Sequence, residues 1–169
     1  MNIKSRISQF TGLVFAAAGA IIFTANAYAA VSVNFTKPEG FADMPFSDSG
    51  KEDVYKELRR HFDKLGAKLP AGQDLKIDVR DINLAGSIEP QRISTNGDFR
   101  ILRGGADFPM MEFKYVIEAD GKVVKSGDAR ISDFNYLRGL NRYSANEPLR
   151  YEKKMLDEWF VKEIAPTKN

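Results

Sequence analysis

An Asp-Gly pair near residue 120 constrains the fold of this 169-residue chain more than any other local feature. Asp120 and Gly121 suit a two-residue type I′ turn, which requires positive φ at both central positions. Before this pair, Phe113, Tyr115 and Ile117 alternate with mostly charged residues, a pattern that is typical of a strand with one buried face. The segment therefore predicts an antiparallel β-hairpin.

The strand that follows this turn changes phase along its length. Pairing across the turn sets Tyr115 opposite Ser126, whereas the later apolar residues Ala129 and Ile131 are out of phase with their partners. An extra residue in one strand corrects such a mismatch, and glycine within a strand often marks the position. We therefore predict a bulge at Gly127.

A first helix is predicted from Glu52 to about Leu65, after a loop over Phe41 to Asp48. Ser49 and Glu52 have the spacing of a capping box, and Gly66 is a candidate C-terminal cap. Apolar residues recur behind the cap at helical spacing, namely Val54, Leu58, Phe62 (or His61), Leu65 and Leu69.

A second helix is predicted near the end of the chain, with Asn146 as its cap and Pro148 in its first turn. Two charged residues, Glu152 and Lys153, point into its apolar arc. They are either buried, in which case both need partners, or they form an exposed pair before the arc becomes buried. The apolar arc consists of Leu149, Leu156, Trp159, Phe160 and Ile164.

Three further strands are predicted upstream of the hairpin. They are Val31–Phe35, a strand from Leu75, and a short strand from Phe99 to Arg103 after a polar loop over residues 87–98. The alternation of the second of these changes phase, which indicates either a bulge near Asp81 or a strand end followed by a turn at Ala85-Gly86. This order of elements predicts an α+β two-layer sandwich, in which two helices cover one face of a mostly antiparallel sheet of about four to five strands.

The first 29 residues have the pattern of a cleaved secretory signal. Lys4 and Arg6 precede an apolar segment, Phe10 to Phe23, and small residues flank a cleavage site between Ala29 and Ala30. The apolar segment is shorter than the ~20 residues that a membrane span needs. We therefore expect an exported protein with no stable membrane span, in which residues 30–169 form one domain.

The composition excludes several classes of function. Two of the 25 basic residues lie in the leader, so 23 remain against 23 acidic residues, and this balance argues against nucleic acid as a partner. The chain has no cysteine, which excludes disulfides and a lipid-modified cysteine. Its single histidine, His61, lies beside the apolar stripe of the first helix, where a packed or capping role is favoured over a catalytic one.

No phosphate loop, dinucleotide fingerprint or nucleophile elbow is present, so no cofactor, metal or catalytic residue is assigned. Loop carboxylates remain as candidates for binding a small ligand or a hard cation. Asp43, Asp107 and Asp133, with Tyr136, fall near the ends of predicted elements, although turns and helix caps favour aspartate for structural reasons too.

The second face of the predicted sheet is a candidate partner surface. Asp78, Arg80, Glu112 and Lys114 project from it, and this mixture of charges is also that of an ordinary solvated face.

Several short motifs, taken in order, resemble the exported proteobacterial family catalogued as domain of unknown function 3016. The resemblance extends from Val31 to about Ile164 and implies a Gram-negative envelope setting, without implying an activity. The motifs are Val31–Phe35 with Pro38, Phe41 and Asp43, then Asp81–Gly86, Asp107–Pro109, Asp133–Tyr136, Pro148–Leu156 and Trp159-Phe160.

Two hypotheses from different classes follow. The preferred one is a non-enzymatic binding or adaptor module, which offers its open sheet face or a sheet edge to an envelope protein or cell-wall component. The alternative is a small-ligand or cation site, possibly enzymatic, built from the loop carboxylates. The oligomeric state stays open.

Overall fold

The computed structural model describes residues 29–88 and 100–165. These residues form the predicted α+β sandwich, in which two helices cover one face of a four-stranded sheet. The predicted signal segment, apart from Ala29, and most of the predicted polar loop lie outside the described residues.

The main sheet has the strand order β1-β2-β5-β6. β1 (Val31–Phe35) pairs in parallel with β2 (Gln73–Asn83), whereas β5 (Met110–Ala119) pairs antiparallel with both β2 and β6 (Lys122–Ser132). Two short strands, β3 (Ser87–Ile88) and β4 (Arg100–Ile101), form a separate two-stranded sheet. β3 corrects the prediction that residues 87 and 88 are loop, and β4 is shorter than the strand predicted there.

The core lies between the sheet and the two helices, α1 (Asp48–Gly66) and α2 (Arg150–Glu163). α1 connects the parallel strands β1 and β2, as a parallel pair requires a crossover. Trp159 of α2 packs edge-on against Phe113 and Tyr115 of β5, with ring centroids 4.7 and 5.4 Å away. The predicted apolar arc of α2 is thus the face that closes the core.

The hairpin prediction is confirmed at its turn and wrong at its bulge. Asp120 and Gly121 have φ values of 51° and 72°, as a type I′ turn requires. Ile117 pairs with Lys125 and Glu118 with Val123, so the extra residue is Val124 rather than Gly127. Of the two explanations for the change of phase in β2, the bulge near Asp81 is confirmed, since the register shifts between Val79 and Asp81.

Both helices begin at other residues than the sequence predicts. α1 starts at Asp48, and Ser47 is its cap, because the Ser47 side chain accepts a hydrogen bond from the Gly50 amide at 3.1 Å. α2 starts at Arg150, and its cap is Leu149 in the left-handed conformation, with Pro148 outside the helix.

Gly66 is the last residue of α1, and it serves close packing rather than a left-handed cap. A Cβ at this position would overlap Cγ2 of Val31, so the missing side chain allows α1 to approach β1. Neither helix in the described part of the chain is long and apolar enough to cross a membrane.

Candidate functional site

A groove runs between α2 and the edge strand β6, with a volume of about 480 Å³. Its strand side follows Asp128–Ser132, and its helix side includes Met155, Glu158 and Trp159. β6 is the last strand of the main sheet, so its outer edge has no partner strand among the described residues. Unpaired backbone groups of this kind are a template for pairing with another chain.

Two features protect only the turn-proximal half of this edge. Val124 is bulged, and the ammonium group of Lys125 donates to the carbonyl of Glu163 at the end of α2. Bulges and lysines are common devices against edge-to-edge pairing. From Ser126 to Ser132 the register with β5 is regular, which leaves a seven-residue segment without a bulge, lysine or proline.

The floor of the groove contains the aromatic side chains of Tyr115 and Trp159, and its lining also includes charged side chains such as Glu158. The ring of Tyr115 lies across Gly127, where a Cβ would be 2.9 Å from Tyr115 Cε1 and Oη. Burial, and then the charge of Glu163, raise the pKa of the Tyr115 phenol above its ordinary value. Trp159 is only 5% exposed, and its buried indole N–H has no acceptor among the described residues.

A polar region lies at the opposite end of α2 from the groove, around the chain segment from Leu84 to Gly86. The guanidinium of Arg100 donates to the Ala85 carbonyl at 2.9 Å, to the Leu84 carbonyl at 3.1 Å and to the Gly86 carbonyl at 2.7 Å. It also pairs with the carboxylate of Asp43. We call Asp43, Arg100, Glu152 and Leu84–Gly86 the loop-anchoring cluster.

Glu152 completes this cluster from α2. Its carboxyl group accepts a hydrogen bond from the Ala85 amide at 2.7 Å, and burial raises its pKa above the ordinary value of 4.5. The neighbouring Lys153 is equally buried and donates to Glu57 at 2.9 Å and to Glu147 at 2.5 Å. The alternative in which both residues are buried with partners is therefore confirmed.

Three of the motifs that carry the family resemblance, around Asp43, Asp81–Gly86 and Asp107–Pro109, meet at this end of the sheet. Asp43 bridges to Asn83, whose side chain donates to the Phe108 carbonyl at 2.7 Å. The Gly86 amide donates to the Asp107 carbonyl at 2.9 Å. Segments that are distant in the sequence are thereby joined into one hydrogen-bonded unit.

None of the four predicted ligand residues lines the groove between α2 and β6. Asp43 pairs with Arg100, and Asp133 pairs with Lys154 at 2.8 Å while accepting the Asn135 amide. The Tyr136 hydroxyl accepts the Gly104 amide at 3.1 Å. Asp107 contributes its backbone carbonyl to Gly86. A ligand-binding role for these residues stays a prediction.

The predicted partner face lies opposite the helices and consists largely of cross-strand ion pairs. Arg80 pairs with Asp128 at 2.6 Å, and Glu112 pairs with Arg130 at 3.2 Å. Asp78 accepts a hydrogen bond from Asn34 at 2.9 Å. Lys114 lies opposite Asp128 in the register. This pairing is what a solvated sheet face needs for its own stability.

His61 has the packed position that the sequence favours. It is 2% exposed, its ring lies 6.1 Å from that of Tyr143, and its Nε2 is 3.4 Å from a carboxylate oxygen of Asp157. Burial lowers its pKa to about 4, although the charge of Asp157 acts in the opposite direction. No group of three or more residues suited to a metal ion occurs in the described ranges.

The groove was not predicted from the sequence. Its signal was present, since the last strand of a terminal hairpin often lies at a sheet edge and the apolar arc of α2 contains Trp159. The bulge at Val124 instead of Gly127 changes only which way residues 124–127 face, and Asp128–Ser132 keep the predicted orientation. What the sequence did not indicate is that β6 is the edge strand beside α2.

Comparisons with known proteins add a family and nothing about activity. No curated protein and no solved structure matches the chain. The model of the family described as "Protein of unknown function (DUF3016)" matches residues 29–162, which is most of the chain. The chain belongs to this family of unknown function.

Proposed function

We propose that this protein is a non-enzymatic binding module of the bacterial cell envelope, which takes up an extended segment of a partner protein along β6. The observation that carries the proposal is the coincidence of two features. The groove follows Asp128–Ser132, which lies within the segment of β6 that has no bulge or lysine, Ser126–Ser132.

Strand addition explains why an open edge and a groove occur together. The edge supplies backbone N–H and C=O groups, which give affinity, and the groove selects side chains, which gives specificity. Side chains of an added strand alternate between the two faces of the sheet. One set would contact Trp159 and Met155, and the other set would extend the charged face beside Asp128 and Arg130.

Photo-crosslinking in native cells tests this proposal, with probes at two positions on the same sheet face. Arg130 lies on the edge strand, whereas Lys114 lies on the internal strand β5 and is the matched control. We expect capture of one dominant envelope protein from position 130 only. Capture from position 114 alone would indicate that the partner binds the open sheet face instead of the edge. No capture from either position would contradict the proposal.

The envelope setting needs its own test, because it depends on the sequence of the leader. We expect the protein purified from the periplasmic fraction to begin at Ala30. An intact Met1 in a cytoplasmic fraction would contradict export. That result would have no bearing on the proposed binding edge.

A further inference from the structure

We propose that β6 of a second copy of this chain occupies the same edge, so that the two four-stranded sheets join into one of eight strands. This inference rests on the proposed strand-accepting edge. The second copy would occupy the edge when no other partner strand is bound. The two copies are related by a two-fold axis that passes through Ala129, perpendicular to the sheet.

Charge complementarity along β6 selects this axis. A two-fold axis perpendicular to the sheet makes the two strands antiparallel and keeps both pairs of helices on one side. With the axis at Ala129, Asp128 of each copy lies opposite Arg130 of the other. Opposite charges directly across an antiparallel pair have Cβ atoms about 4.5 to 5.5 Å apart and attract.

Neighbouring registers are excluded by the same charges. An axis through Asp128 would place this carboxylate opposite its own copy, and an axis through Arg130 would place two guanidinium groups together. Like charges directly opposite each other destabilise a strand pair. An axis between two residues would pair side chains on opposite faces, because side chains alternate along a strand.

The helix-facing side of β6 is also self-complementary in this register. Gly127 of one copy lies opposite Ile131 of the other, and the Tyr115 ring occupies the space above Gly127. Ile131 would therefore pack on an aromatic surface beside the groove. Ala129, at the axis itself, brings only two methyl groups together.

Two single charge reversals test this register by sedimentation velocity on the exported protein over a range of concentrations. Asp128→Arg alone gives two like-charged contacts in a homodimer, and so does Arg130→Asp alone. We expect each variant to self-associate at least about tenfold more weakly than the wild type, because two attractions become repulsions. An equimolar mixture of the two variants restores both attractions, so it should form a heterodimer about as tight as the wild-type dimer.

Lys76→Asp on the internal strand β2 is the control, and it should leave the wild-type association unchanged. The inference would be overturned if the wild type formed a dimer that neither charge reversal weakens. It would also be overturned if mixing the two variants did not restore association. A monomeric wild type whose position 130 still captures an envelope protein would overturn the inference alone. A monomeric wild type with no capture would overturn the proposed function as well.

Discussion

The two halves of α2 differ in what surrounds them. In the first half, the Glu152 carboxyl accepts a backbone amide, and the ammonium group of Lys153 binds two carboxylates. In the second half, the Trp159 N–H has no acceptor among the described residues, and the helix lies beside the unpaired edge of β6. The first half is therefore held by charged contacts within the protein, whereas the second half lies beside backbone groups with which another chain can pair.

The largest effect is expected at the floor of the groove. Trp159→Ala should lower the free energy of unfolding by about 3 to 5 kcal/mol, because it removes the ring that packs on Phe113 and Tyr115. Urea denaturation measures this loss. Val161→Ala is the control, since Val161 is 67% exposed on the same helix. If Trp159→Ala lowered the free energy of unfolding no more than Val161→Ala does, the prediction that α2 closes the core would be contradicted.

The next effect concerns His61, which faces the middle of α2. Its folded-state pKa of about 4 lies below the ordinary value of 6.5, so the unfolded chain binds a proton that the folded chain does not. The contribution of His61 is therefore fully present above pH 6.5 and is lost as the pH falls toward 4, by about 3 kcal/mol in total. His61→Gln should flatten the fall in stability over this range, and an unchanged pH profile would contradict the prediction.

Glu152 tests whether the first half of α2 depends on a hydrogen bond or on a charge. Glu152→Ala should cost about 1 to 3 kcal/mol, because the buried Ala85 amide loses its acceptor. Glu152→Gln retains an acceptor and is the matched control.

The pH dependence at this position has the opposite sign to that of His61. Burial raises the folded-state pKa of Glu152 above 4.5, so the wild type loses stability as the pH rises from 4.5 through the folded-state pKa. Glu152→Gln should lack this loss in denaturation curves at successive pH values. A Glu152→Gln protein as unstable as Glu152→Ala would mean that the ionised carboxylate is essential.

The smallest effect is expected on the open sheet face. Arg80→Ala removes an exposed ion pair with Asp128, so it should change stability by less than about 1 kcal/mol. It should also leave partner capture from position 130 unchanged. Loss of capture would instead favour the predicted partner face over the edge.

Local patterns predicted the elements whose formation depends on nearby residues. The type I′ turn at Asp120-Gly121 follows from backbone sterics, and the buried arc of α2 follows from helical periodicity. The helix starts were predicted less well, because Ser47 and Ser49 are equally suitable caps on local chemistry alone. The packing of Gly66 against Val31 joins α1 to β1, and no local pattern predicts such a contact.

The sequence by itself determined the α+β class, the hairpin and the apolar faces, because periodicity and turn chemistry act over a few residues. The sequence also showed that Glu152 and Lys153 need partners if they are buried, but it did not indicate which residues these partners are. Only the tertiary structure decided that β6 is an edge, that Val124 is the bulged residue and that the groove follows Asp128–Ser132. Strand order and register depend on contacts between distant segments, and the edge that a partner can reach follows from them.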